Sequence, residues 1–77
     1  MEETILDGRN CGIILKSIRK ERKKTIEAFA KRIGVSGNTI MAWQSGETIP
    51  KTDMFCDILA AFGYEVIVRK KVQNEEK

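Results

Sequence analysis

The sequence predicts a mainly α-helical fold: a bundle of four to five short helices with a short β-strand after the last. Three observations carry this. Apolar residues recur three and four positions apart in four successive segments, the period of helices that each bury one face. Between the second and third segments, Gly34-Val35-Ser36 leaves room only for a tight turn, so two short helices are joined at a fixed spacing. Beyond Gly63 the pattern changes, and Tyr64-Glu65-Val66-Ile67-Val68-Arg69 is β-branched and aromatic enough to read as a strand. The chain then divides into an N-terminal arm (1–10), a helical domain (11–63), the strand (64–69) and a polar tail (70–77) expected to fray.

In the arm, Asp7-Gly8 reads as a turn, with Asp7 or Asn10 available to cap the first helix. That helix is predicted over about 11–23, with Cys11, Ile14, Leu15 and Ile18 as its buried stripe. Arg19, Lys20, Arg22 and Lys23 end it, where cations suit the helix dipole. The second helix starts after Thr25, a good N-cap, with Glu27 in its first turn. Ile26, Phe29, Ala30 and Ile33 face inward, and Lys31 and Arg32 face out. Gly34 stands where the chain must turn and where φ > 0 is expected. Ser36 caps the third helix. Val35, Ile40 and Trp43 are expected to bury against the second helix, and the small Ala30 lets the two cross closely. Ile49-Pro50 leads into a fourth helix over about 52–62. Its core stripe is Phe55, Ile58, Leu59 and Phe62, flanked by Met54 and Cys56, with Gly63 as the C-cap.

Seventy-seven residues make one small domain with a modest core, which dimerisation commonly supplements. No apolar run is long enough to span a membrane. Met1-Glu2-Glu3 is acidic and no apolar stretch comes after it, so no signal peptide is read and a cytoplasmic location is expected. The chain has no histidine, and Cys11 and Cys56 do not make a metal pattern; no metal or other cofactor is expected. The two thiols read as semi-buried and free. With no nucleophile–base pair and no phosphate-binding glycine loop, an enzyme is not expected. The net charge of +3 says little by itself. Its distribution says more: Lys16, Arg19, Lys20, Arg22, Lys23, Lys24, Lys31 and Arg32 crowd one segment, opposed there by Glu21 and Glu27. Such a surface suits a polyanion.

The central unit has helix-turn-helix spacing, and the chain around it resembles the lambda-repressor/Cro-like (Xre) family of DNA-binding proteins. The family's "LA…LGVS" stands here as Phe29-Ala30-Lys31-Arg32-Ile33-Gly34-Val35-Ser36. Its "G…P" exit from the third helix stands as Gly46-Glu47-Thr48-Ile49-Pro50, and its closing "ALG" as Ala61-Phe62-Gly63; the likeness spans about 12–64. The resemblance implies a lambda-repressor-like bundle whose third helix (about 36–45) enters the major groove of double-stranded DNA. It implies base contacts from Ser36, Gly37, Asn38, Met41 and Ala42. It implies phosphate contacts from Arg19, Thr25, Lys31, Thr39, Thr48 and Lys51. Phe29, Ala30, Gly34, Val35, Ile40, Trp43 and Gln44 become the scaffold of the motif.

The third helix offers no arginine for guanine. Asn38 suits adenine N6/N7, and Met41 and Ala42 suit thymine methyls, so a modest A·T preference aided by DNA shape is expected. Many relatives carry Glu where Gln44 stands, paired with an arginine that corresponds to Arg19. Gln44 is expected to make a weaker link and to leave Arg19 freer to reach phosphate.

The strand has no partner strand within the chain. Pairing with the same segment of a second copy about a two-fold axis would satisfy it, building a homodimer through Tyr64, Val66, Ile67 and Val68. HipB-type antitoxins carry a strand after the last helix that does this, and Phe62-Gly63-Tyr64-Glu65-Val66-Ile67-Val68 is similar to it. The alternatives are a fifth helix or an extended tail packed on its own domain. The expected function is a sequence-specific transcriptional regulator, a dimeric repressor. The antitoxin of a toxin–antitoxin pair, with a toxin as partner, and a protein-interaction adaptor on the same fold are the alternatives.

Overall fold

The computed structural model describes residues 3–72. Four helices succeed one another: α1 (Cys11–Glu21), α2 (Ile26–Ile33), α3 (Gly37–Ser45) and α4 (Thr52–Ala61). Two start as their N-caps require. Thr25 Oγ1 accepts from the Ala28 N–H at 3.1 Å, and Ser36 Oγ from the Thr39 N–H at 3.1 Å. The start of α1 differs from expectation. Asn10 occupies the cap position, but its side chain makes no capping bond. Asp7 Oδ1 instead accepts from the N–H groups of Arg9 (2.8 Å) and Asn10 (3.0 Å), and Asn10 Oδ1 accepts from the Asp7 N–H (3.1 Å). The two side chains close a turn on each other, which leaves neither for the helix.

The core is one cluster drawn from all four helices. Leu15, Ile18, Phe29 and Ile40 are dry at its centre, ringed by Cys11, Ile14, Ala30, Trp43, Phe55, Ile58, Leu59 and Phe62. Ile26, Ile33, Val35 and Tyr64 pack against its edge. Every apolar stripe read from the helical period is therefore in place. α3 lies against both α1 and α2. Ala30 is buried as expected. The tightest approach, however, is on α1: a Cβ placed at Gly12 would stand 1.8 Å from the Trp43 carbonyl oxygen. On the other side of the core, Phe62 stacks on Phe29 with ring centroids 5.2 Å apart.

α1 and α4 end in the same pair of backbone bonds, and each brings an informative residue. α1 closes with Lys23 N–H to the Lys20 carbonyl and Lys24 N–H to the Arg19 carbonyl, both 3.0 Å. This motif needs a left-handed residue, and Lys23 fills that place at φ 55 without being glycine. Gly34, expected to turn the chain, does so at φ 83. At the end of α4, the Tyr64 N–H donates to the Leu59 carbonyl at 2.8 Å.

That bond changes the reading of the C-terminal segment. Tyr64 is expected from the sequence to open a strand; it belongs instead to the cap of α4. Its ring lies on the core edge, and its hydroxyl donates to the Glu21 carboxylate, which holds the phenol above its ordinary range. Residues 65–72 form neither helix nor strand, so a fifth helix is absent among the described residues, and so is any strand. The physical reason is the one visible in the sequence: a lone β-rich segment finds no second strand in its own chain. It runs instead beside the N-terminal arm, and Ile5, Leu6, Val66, Ile67 and Val68 border a groove floored by Ile14, Phe55 and Leu59. The expected tail at 73–77 lies outside the described residues.

Among the described residues, no helix is long and apolar enough to cross a membrane. Cys11 is buried in α1 and Cys56 half-buried in α4, both as free thiols. Burial pushes the Cys11 thiol up from its ordinary pKa.

Candidate nucleic-acid interface

The buried residues Ile40 and Trp43 define the inner side of α3. At about 3.6 residues per turn, Asn38, Met41, Ala42 and Ser45 then fall on the outer side. Asn38, Met41 and Ser45 are exposed and Ala42 is half-buried. Ser36 stands exposed at the cap, and Gly37 and Thr39 are half-buried beside it. The expected base-contacting residues thus share one end and one face of a single helix.

The N-terminus of α3 meets the N-terminus of α2. A Cβ at Gly37, the first residue of α3, would lie 3.7 Å from Ile26 Cγ2, on the first residue of α2. Each end presents unbonded backbone N–H groups and the positive pole of its helix. Thr25 and Ser36, the two caps, flank this junction. Helix N-termini in general favour anions such as phosphate.

Other expected phosphate contacts are more dispersed. Lys31, Thr48 and Lys51 are exposed. Lys51 lines a shallow groove with Arg32, Asp53 and Asp57, between α4 and the end of α2. Arg19 is placed otherwise than expected. It is half-buried, its Nε donates to Gln44 Oε1 at 3.3 Å, and its Nη1 donates to the Lys24 carbonyl at 2.9 Å. The expected link to Gln44 exists. Its weakness does not release Arg19 toward phosphate, because the Lys24 carbonyl at the α1–α2 turn takes a second N–H. Arg19 therefore ties α1, that turn and α3 together.

Two further arginines of the basic segment are also engaged. Arg22 and Arg32 set their guanidinium carbons 5.5 and 5.3 Å from the Phe62 ring centroid, and Arg22 Nη2 donates to the Phe62 carbonyl at 2.6 Å. The positive surface read from the sequence is therefore divided. Its arginines brace the core, and Lys16, Lys20, Lys23 and Lys31 remain exposed.

Residues 12–67 match the family model described as a helix-turn-helix domain, most of the chain. The chain belongs to the helix-turn-helix domain family. In the helix-turn-helix unit, α2 and α3 are the paired helices and Gly34-Val35-Ser36 is the turn. Membership supports a DNA-binding regulator. A search of curated proteins found no match to this sequence.

The scaffold of the helix-turn-helix is where the sequence placed it: Phe29, Ala30, Ile40 and Trp43 are buried, Val35 packs on them and Gly34 turns the chain. Sequence reasoning missed Gly12, Lys23 and the bracing of Phe62. A signal for Gly12 was present, since a glycine set among the buried positions of an amphipathic helix marks close packing. None existed for Lys23, one of several consecutive basic residues.

Proposed function

We propose that this protein is a sequence-specific transcriptional repressor of the lambda-repressor/Cro-like (Xre) type, acting as a homodimer. α3 enters the major groove with Ser36, Gly37, Asn38, Met41 and Ala42 toward the bases. The α2 and α3 N-termini, with Thr25 and Thr39, sit against the phosphate backbone, and Lys31, Thr48 and Lys51 extend that contact. The observation that carries this reading is the exposed face of α3, whose first residue lies against the first residue of α2. The dimer forms through Val66, Ile67 and Val68, β-branched, exposed and unpaired within the chain. Two copies related by a two-fold axis would read half-sites about one helical turn apart. Regulation is by occlusion of a promoter.

The test is binding to labelled DNA from upstream of the protein's own gene, against a scrambled duplex of equal length, across a salt series. Tight, salt-sensitive binding with preference for the native duplex is expected. Absence of binding to either duplex at low salt would refute the reading. A second reading, an antitoxin, is favoured by the apolar border formed by Ile5, Leu6, Val66, Ile67 and Val68. A toxin partner would cover the surface that a second copy covers in the first reading. A gene for a toxin beside this one, and co-purification of its product, would select it.

A further inference from the structure

The outward face of α3 holds very few groups able to read a base. The helix Gly37–Ser45 contains no charged residue. Most of its polar side chains are already engaged. Ser36 Oγ accepts the Thr39 N–H and lies 2.9 Å from Thr39 Oγ1. Ser45 Oγ donates to the Ala42 carbonyl at 3.0 Å, and Gln44 Oε1 faces Arg19. The exposed Asn38 amide has no hydrogen-bond partner among the described residues. Beside it, Met41 is 55 % exposed, whereas Ala42 is half-buried.

We infer that α3 reads the 5-methyl group of a pyrimidine through Met41, next to an adenine held by Asn38; this rests on the DNA-binding function proposed for the domain. Guanine presents two acceptors in the major groove and is matched by a pair of donors from Arg or Lys, which α3 lacks. Adenine presents an acceptor and a donor, N7 and N6, which the single free amide matches with both its atoms. The remaining group must be apolar to pair with Met41, and the thymine methyl is the apolar group of that groove. Methionine suits it, being unbranched and polarisable. Removing one methyl from water on each half-site is worth about fourfold in affinity.

The experiment starts with selection of duplexes from a random thymine-containing pool by the full chain. The enriched duplex is remade with deoxyuridine, which deletes the methyls alone. The wild type is expected to bind the uracil duplex about fourfold more weakly per half-site. Met41→Ala, at an exposed position, is expected to bind the thymine duplex weakly and to lose the difference between the two, with Trp43 fluorescence confirming an intact fold. Equal wild-type affinity for both duplexes would overturn the methyl reading while leaving DNA binding intact. A full thymine–uracil difference retained in Met41→Ala would overturn the assignment to Met41. Failure to enrich any duplex at low salt would instead overturn the DNA-binding reading.

Discussion

Gly12→Ala adds one methyl group to α1 and is expected to be among the most damaging single substitutions in the domain. The new Cβ would stand 1.8 Å from the Trp43 carbonyl oxygen, 2.6 Å from its carbonyl carbon and 3.0 Å from Gln44 Cα. All three are backbone atoms, so no rotamer change relieves the clash. α1 and α3 must separate locally by more than about 1 Å, and a gap of about 1 Å already forfeits about half of each dispersion contact across it. Leu15, Ile18, Ile40 and Trp43 are the neighbours that would loosen. Overpacking of this kind costs about 1–3 kcal/mol and sometimes more. The better helix propensity of Ala returns about 1 kcal/mol. Because the obstacle is backbone, the upper part of the range applies, and a net loss of about 2 kcal/mol is expected. Against a total of roughly 4–12 kcal/mol for a chain of this length, that is a large fraction. It corresponds to a fall in melting temperature of about 8–16 °C.

The assay is urea and thermal unfolding followed by Trp43, the chain's one tryptophan and a buried one. Gly37→Ala is the control: its nearest neighbour would be Ile26 Cγ2 at 3.7 Å, an ordinary contact. It is expected to stabilise by about 0.4–1 kcal/mol. A Gly12→Ala protein as stable as the parent would refute the backbone-level crossing of α1 and α3.

The same geometry sets the outcome of other substitutions. Lys23→Gly is expected to stabilise by about 1 kcal/mol by removing a Cβ from a left-handed residue; an unchanged melting curve would argue against that closure of α1. Gln44→Glu turns a bond from the Arg19 guanidinium to a neutral amide into an ion pair and is expected to add up to about 1 kcal/mol at low salt, with no gain in an Arg19→Met background. A loss of stability in Gln44→Glu would argue against the contact. The buried Cys11 thiol titrates above its unfolded value of about 8.5, so its contribution to stability is complete below that pH and disappears as pH rises through the raised value. The alkaline fall in melting temperature is expected to be shallower in Cys11→Ala, and an identical slope would count against that burial effect. If the proposed phosphate contact is made, Lys31→Ala lowers the slope of log affinity against log salt by about 1 per half-site, whatever the duplex sequence.

Much of the fold was legible in the sequence because its signals are local. Thr25 and Ser36 reach N–H groups three residues on, Gly34 turns within one residue, and the stripes of α1, α2 and α4 arise from three-and-four spacing. These choices depend on neighbours in sequence, and they came out as read. Of the candidate site, the sharing of a helix face was legible and the contacts between helices were not. Asn38 and Met41 share a helix face by spacing alone, whereas the meeting of Gly37 with Ile26 needed the angle between α2 and α3.

By itself the sequence determined which residues are helical, which side of each helix is buried and where the turn between α2 and α3 lies. Only the tertiary structure decided the use of groups that answer to distant parts of the chain. It set Gly12 against the Trp43 carbonyl, Arg19 between Gln44 and Lys24, Arg22 and Arg32 over Phe62, and Tyr64 on Glu21 rather than in a strand. The physical reason is reach. A helix period constrains a side chain's direction but not the group that stands opposite it, and long cationic or aromatic side chains settle on whichever acceptor or ring the packing of the helices brings near.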